Sequence, residues 1–241
     1  MKDIQNQSDH RKIDIRKVGV KTITYPITVL DKAKKKQRTI ATVNMYVNLP
    51  HQFKGTHMSR FIEILNRFHG QIDLKGFRLI LDEMKQKLDA AAAHVEMSFP
   101  FFVRRDEDHG DFRLNQYQCT MHCTLEQDED LQLDITVPIS HPFGNHSFDA
   151  RSSEIGLWGA VIISVKFLKF MWLEDLVLLV ENTIMQESVQ KASTAAAPME
   201  IILEKLTERF SSLEELSWYS LTVENISQGY ALFATTTSEN N

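Results

Sequence analysis

The run Gly55-Thr-His-Met-Ser-Arg-Phe61 gathers the side chains best suited to holding an anion. A glycine and a threonine precede an apolar helical period, so the first N–H groups and the dipole of that helix favour negative charge. His57 and Arg60 add donors within the first turn. A phosphate fits this arrangement, and so does a plain helix start in which Thr56 is the N-cap and Arg60 is solvated. A second cluster, Cys119, His122 and Cys123, has a metal-like C-x-x-H-C spacing. It lies in a period-two stretch, which sends the two thiols to one face and the imidazole to the other, so the three do not converge on one ion. His141 and His146 bracket a Pro-Phe-Gly-Asn turn, where neutral imidazoles can bind a metal. No thiolate or carboxylate is fixed beside them by spacing, and a surface loop is the expectation.

The elements that must position these groups follow from the apolar periods. Val18 to Leu30 and Thr39 to Leu49 read as paired strands, the second with Val43, Met45, Val47 and Leu49 on one face. The charged stretch Asp31 to Arg38 between them reads as a solvated hairpin tip. Phe61, Leu65 and Phe68 fall on one helical face, and Leu74, Phe77, Leu81, Met84 and Leu88 keep helical spacing over four turns, with Gly70 at the break. Period two returns at Val95 to Phe99 and again at Tyr117 to Leu125, across an acidic loop from Arg104 to Asp111. The second half repeats the order: strands at Leu131 to Ile139 and Val161 to Phe167, helices through Leu173 to Ile184 and Ile202 to Leu213, then strands at Leu216 to Val223 and Tyr230 to Ala234. The order of elements thus duplicates with a period of roughly 120 residues. The expected fold is α+β: two tandem ββααββ modules, antiparallel sheets with paired helices on one face, at 17–127 and 128–236, with a polar arm at 1–16 and a tail at 237–241.

Composition excludes several function classes. The chain has 241 residues, 43% hydrophobic and 24% charged, with nine glycines and six prolines, which describes a folded chain of mostly regular structure. A net charge of −5 argues against wholesale binding to nucleic acid. The most apolar stretch, Val161 to Val180, contains Lys166, Lys169, Glu174 and Asp175, so no membrane span is expected. The N-terminus lacks the apolar core of a secretory signal, which leads us to expect a cytoplasmic protein. Two cysteines are too few for a disulfide framework.

Lys17-Val-Gly-Val-Lys21, Tyr25-Pro26, Asn44-Met-Tyr-Val-Asn-Leu-Pro-His51, Phe53-Lys-Gly-Thr-His-Met-Ser-Arg-Phe61 and Ala93-His-Val-Glu-Met-Ser-Phe-Pro100 together resemble the type IB GTP cyclohydrolases. The resemblance is dense to about residue 103 and resumes at Val137-Pro138 and Trp172-Leu-Glu-Asp-Leu176. It implies a tunnelling fold, a homo-oligomer (dimer or tetramer), and a reaction in which a metal-activated water opens the imidazole ring of GTP, giving formate and 7,8-dihydroneopterin triphosphate for folate biosynthesis. Pro198-Met-Glu200 is similar to the family's F-V-E, whose glutamate anchors the guanine edge, so Glu200 is the expected purine anchor, with His57 and Arg60 as candidates for the triphosphate or an interface.

The family's metal motifs have no counterpart here. After Val137-Pro138-Ile139-Ser140 the C-P-C-S-K loop and the G-A-H-N-Q-R histidine are replaced by His141 to Ala160, and no cysteine follows Cys123. Gln190 to Ala197 carries no R-P-D-E-K glutamate, and the last hairpin, Asn225 to Tyr230, carries no histidine. The expectation is therefore a catalytically degenerate member with no catalytic residue and no cofactor, binding GTP or another purine- or pterin-like molecule, or serving assembly. The alternative is an active enzyme whose zinc or manganese is held by His141, His146, Asp149 and Glu154.

Overall fold

A computed structural model describes residues 17–33, 35–49, 58–68, 74–106, 112–140, 157–190, 199–227 and 230–238. The elements run β1 (Val18–Asp31), β2 (Lys35–Asn48), α1 (Ser59–Arg67), α2 (Leu74–Leu88), β3 (Ala92–Asp106), β4 (Phe112–Leu125), β5 (Glu129–Ser140), β6 (Leu157–Phe167), α3 (Leu173–Gln190), α4 (Met199–Phe210), β7 (Leu216–Ser227) and β8 (Tyr230–Thr237). The strands form one sheet in chain order from β1 to β8. This is the α+β arrangement of eight strands and four helices that the apolar periods predict, with the order strand, strand, helix, helix, strand, strand given twice.

Some boundaries differ from the expectation. The charged stretch Asp31 to Arg38 is mostly strand: Asp31 pairs with Lys35 and Thr28 with Arg38, and the Gln37 amide donates to the Asp31 carboxylate at 3.1 Å. The run of charges is tolerated because Lys35, Lys36 and Arg38 are all exposed at this end of the ribbon. The first helix begins at Ser59 rather than near Thr56. Its N-cap is Met58, which makes no side-chain cap, and the first turn closes through Phe61 N–H to the Met58 carbonyl at 3.2 Å. Thr56 and Gly70 lie outside the described residues, as do 107–111 of the expected acidic loop, into which β3 extends as far as Asp106.

By contacts the chain forms two compact units, Met1–Pro100 with Thr120–Gln132, and Phe101–Cys119 with Leu133–Asn241. They interleave along β3, β4 and β5 instead of dividing at one point in the chain. Strand length accounts for this: the 15 residues of β3 extend about 50 Å at ~3.3 Å each, whereas the 15 residues of α2 cover about 22 Å. One helix pair cannot cover a whole strand.

In the first unit the buried face of β2 and β3 presents Val43, Met45, Val95 and Met97, and the helices supply Phe61, Ile64 and Leu65 from α1 and Phe77, Leu81 and Met84 from α2. The Tyr25 hydroxyl, inside this layer, donates to the Leu65 carbonyl at 3.1 Å, and burial pushes its pKa up. Outside the core, Arg67 and Lys87 both pair with Glu83, tying α1 to α2. The second unit is built likewise from Ile135, Val137, Val161 and Ile163 against Leu176, Val180, Leu206 and Phe210. Phe210 packs on Tyr219 with ring centroids 5.6 Å apart. Each side chain of this size contributes about 1.5–3 kcal/mol when fully buried.

Two glycines sit where a neighbouring backbone leaves no room for a side chain. A Cβ on Gly19 in β1 would lie 2.0 Å from the Met45 carbonyl oxygen, and one on Gly159 in β6 would lie 1.7 Å from that of Glu224.

Candidate functional site

Arg60 is the second residue of α1, exposed, and its guanidinium donates to the Lys87 carbonyl at 2.9 Å. That carbonyl is in the last turn of α2, where the helix has no donor of its own to offer. Arg60 therefore caps α2 while standing in the first turn of α1, which contains no acidic residue. Glu200 is the second residue of α4 and is exposed. An acidic side chain there is favoured by the helix dipole whatever else it does. Arg60 belongs to the first unit and Glu200 to the second. His57, His141, His146, Asp149 and Glu154 lie outside the described residues.

The cysteine cluster behaves as its spacing predicts. Cys119 and Cys123 are free thiols buried in β4, each held up to a pKa of about 12 by burial, with Glu129 and Asp130 adding to the shift of Cys123. His122 points to the opposite face, where its Nδ1 is 3.9 Å from the Glu96 carboxylate. A metal needs thiolates and convergent donors. These residues offer neither, and among the described residues no group of three or more His, Cys, Asp or Glu is placed to hold a metal.

Polar constellations that motif reading passed over occur in both units. In the first, the backbone N–H of Thr22 donates to the Asn44 side-chain oxygen at 2.8 Å, and the Asn44 amide donates to Glu96 at 3.0 Å. Beside it Tyr46 stacks on His94, with centroids 4.6 Å apart and planes 17° from parallel. In the second unit the buried Tyr117 hydroxyl donates to Glu181 of α3 and receives a bond from the Asn115 amide at 3.2 Å. Period two does place Asn44 with Tyr46, and His94 with Glu96, on one face. Which strands pair, and in what register, is what sequence spacing does not state.

Among the described residues no helix is long and apolar enough to cross a membrane. Structurally the chain is similar to uricases. The uricase from Arthrobacter globiformis matches with a TM-score of 0.54 at 12% identity, covering 92% of each chain. A uricase from Bacillus fastidious matches at 0.60 and 8% identity, covering 93% of each. At such identities the likeness concerns the fold alone. In sequence, residues 1–142 match the family described as type I GTP cyclohydrolase folE2. The GTP cyclohydrolase FolE2 of Syntrophus aciditrophicus is 42% identical over 245 residues, 93% of this chain and 94% of the relative. That of Syntrophotalea carbinolica is 39% identical over 244 residues, 93% of this chain and 90% of the relative. This chain therefore belongs to the type I GTP cyclohydrolase FolE2 family.

Proposed function

We propose that the protein is a diverged, type IB-like member of this family that retains a purine- or pterin-binding or subunit-assembly role and has lost hydrolysis of GTP. One observation carries this reading. The chain's two cysteines are Cys119 and Cys123, both buried in β4 as neutral thiols, so no thiolate is available to a metal beside the nucleobase. Without an activated water the purine ring is not opened, and no hydrolytic step is assigned to any residue.

Binding does not need the metal. In this reading Glu200 accepts two N–H donors of the guanine edge in one plane, and His57 and Arg60 meet the triphosphate. Arg60 has donors beyond the one spent on Lys87, since a guanidinium carries five. The same reading takes 17–127 and 128–236 as two tunnelling-fold modules between the 1–16 arm and the 237–241 tail, in a cytoplasmic homo-oligomer, a dimer or tetramer.

The test is turnover and binding on the same preparation. Purified protein supplied with zinc or manganese is expected to give no fluorescent neopterin product from GTP. Its thermal midpoint is expected to rise with GTP, guanine or neopterin, and Glu200→Gln is expected to abolish the rise. A midpoint unmoved by every purine and pterin leaves the assembly role alone.

A second reading has its own support in the 42% identity to a relative named as a GTP cyclohydrolase. In it the chain is an active metal-dependent cyclohydrolase or related hydrolase with zinc or manganese held by His141, His146, Asp149 and Glu154. Turnover, with stoichiometric metal that disappears in a His141→Ala, His146→Ala double variant, selects this reading over the first.

A further inference from the structure

The face of the first unit turned away from its buried layer holds a cation, a phenol and an imidazole in contact. The Lys17 ammonium lies 3.3 Å from the centroid of the Tyr46 ring, and Tyr46 stacks on His94, its registered partner across β2 and β3. We propose that these three residues are a proton-operated latch on the start of β1: with His94 neutral, Lys17 rests on Tyr46, and a proton on His94 places a second cation against the same ring and releases Val18–Val20.

Strand geometry makes this segment detachable. Val18, Gly19 and Val20 pair with Val47, Tyr46 and Met45, but a register shift then separates Val20 from Ile23. Within the shift Thr22 has φ 59°, a left-handed conformation that a β-branched residue adopts only when held there. It is held by the bond from its N–H to Asn44. Everything beyond Thr22 is thus anchored independently, and the first three pairs hang on the Lys17 end. Gly19 lets the backbone lie against Tyr46 closely enough for Lys17 to reach over the ring.

His94 is poorly equipped to carry a charge in the closed arrangement. Its Nδ1 is 3.0 Å from the Thr124 hydroxyl, while its Nε2 is buried with no hydrogen-bond partner. In the tautomer whose Nδ1–H donates to the Thr124 hydroxyl, the proton taken up goes to Nε2 and leaves a buried donor unsatisfied. The charged and titratable groups around it are Lys17, which immediately precedes β1, Glu96 on its own strand, His122 on β4, and Glu126 after β4. Glu96 is engaged by Asn44 and lies near His122, and the Glu126 carbonyl receives a bond from Lys85 of α2. Burial and Lys17 hold the His94 pKa below its ordinary value, and Glu126 opposes them. Because the closed form disfavours the proton, stability from this site is full above the unfolded histidine pKa and is lost as the pH falls through it towards the lowered value.

The experiment follows His94 by NMR titration and residues 18–20 by amide exchange, corrected for intrinsic rates, between pH 7.5 and pH 5, on the full chain. In the unmodified protein, protection at 18–20 is expected to fall several-fold at pH 5 while that of β2 and β3 holds. Lys17→Met is expected to raise the His94 midpoint and to leave 18–20 weakly protected at both pH values. His94→Gln, which takes up no proton, is expected to keep protection independent of pH. A His94 midpoint unmoved in Lys17→Met, or an acid loss of protection that persists in His94→Gln, overturns the latch. Backbone spectra of both variants report whether the rest of the sheet is intact, so an unfolded variant is not read as an open latch.

Discussion

The unavailability of Cys119 and Cys123 to a metal can be put to a quantitative test through their ordinary thiol chemistry. Burial moves each from 9.0 to about 12. Such a rise reduces the thiolate fraction about a thousandfold and corresponds to ~4 kcal/mol per thiol to ionise it in place. Since only the thiolate is nucleophilic, and the greater nucleophilicity of a high-pKa thiolate offsets part of this loss, native protein at pH 8 is expected to react with Ellman's reagent on the order of a hundredfold more slowly than the same protein in guanidinium, where both thiols count. Cobalt(II) is expected to give no sulfur-to-metal absorption. The sign with pH follows from the raised values: the folded state holds the protons more tightly, so stability is full below the unfolded thiol pKa and declines as the pH rises from about 9 towards 12. Reaction of either thiol in native protein at the denatured rate, or a cobalt–sulfur band removed by Cys123→Ala, refutes the burial argument and with it the main support for lost hydrolysis.

Two other substitutions follow from the backbone geometry. Gly159→Ala places a methyl 1.7 Å from the Glu224 carbonyl oxygen, a backbone atom that cannot swing aside. It should cost about 1–3 kcal/mol, read as a lower thermal midpoint. Arg60→Met removes the bond to the Lys87 carbonyl and should cost ~0.5–1.5 kcal/mol in denaturant unfolding. If Arg60 also meets the triphosphate, the affinity for GTP falls more than that for guanine in the same variant.

The strand and helix order was readable because the apolar periods are strong: Val43, Met45 and Val47 alternate, and Phe61 and Leu65 share a helical face, and all five are buried. Ends were less readable. Lys35 to Arg38 is polar throughout, so nothing in its composition marks it as strand, and its pairing with β1 comes from register instead. The separation of the two thiols from His122 was legible, because alternation alone decides it. The cap that Arg60 places on α2 was not, since it joins residues 27 apart through a backbone carbonyl that sequence patterns do not encode. The stack of Tyr46 on His94 was hidden for a related reason: it depends on which residue of β2 stands opposite which residue of β3. His57 and the candidates at 141, 146, 149 and 154 lie outside the described residues.

The sheet runs in the same order as the chain, from β1 to β8. A polypeptide leaving the ribosome therefore finds, for each new strand, a neighbour already made, and no early strand has to wait unpaired for a distant one. The interleaved units set the checkpoint: the first is complete only when Thr120–Gln132 has emerged. Severing the chain after Pro100 would release a fragment whose apolar layer lacks Cys123 and Leu125, and such a fragment should be less soluble than the same fragment with the complementary piece present.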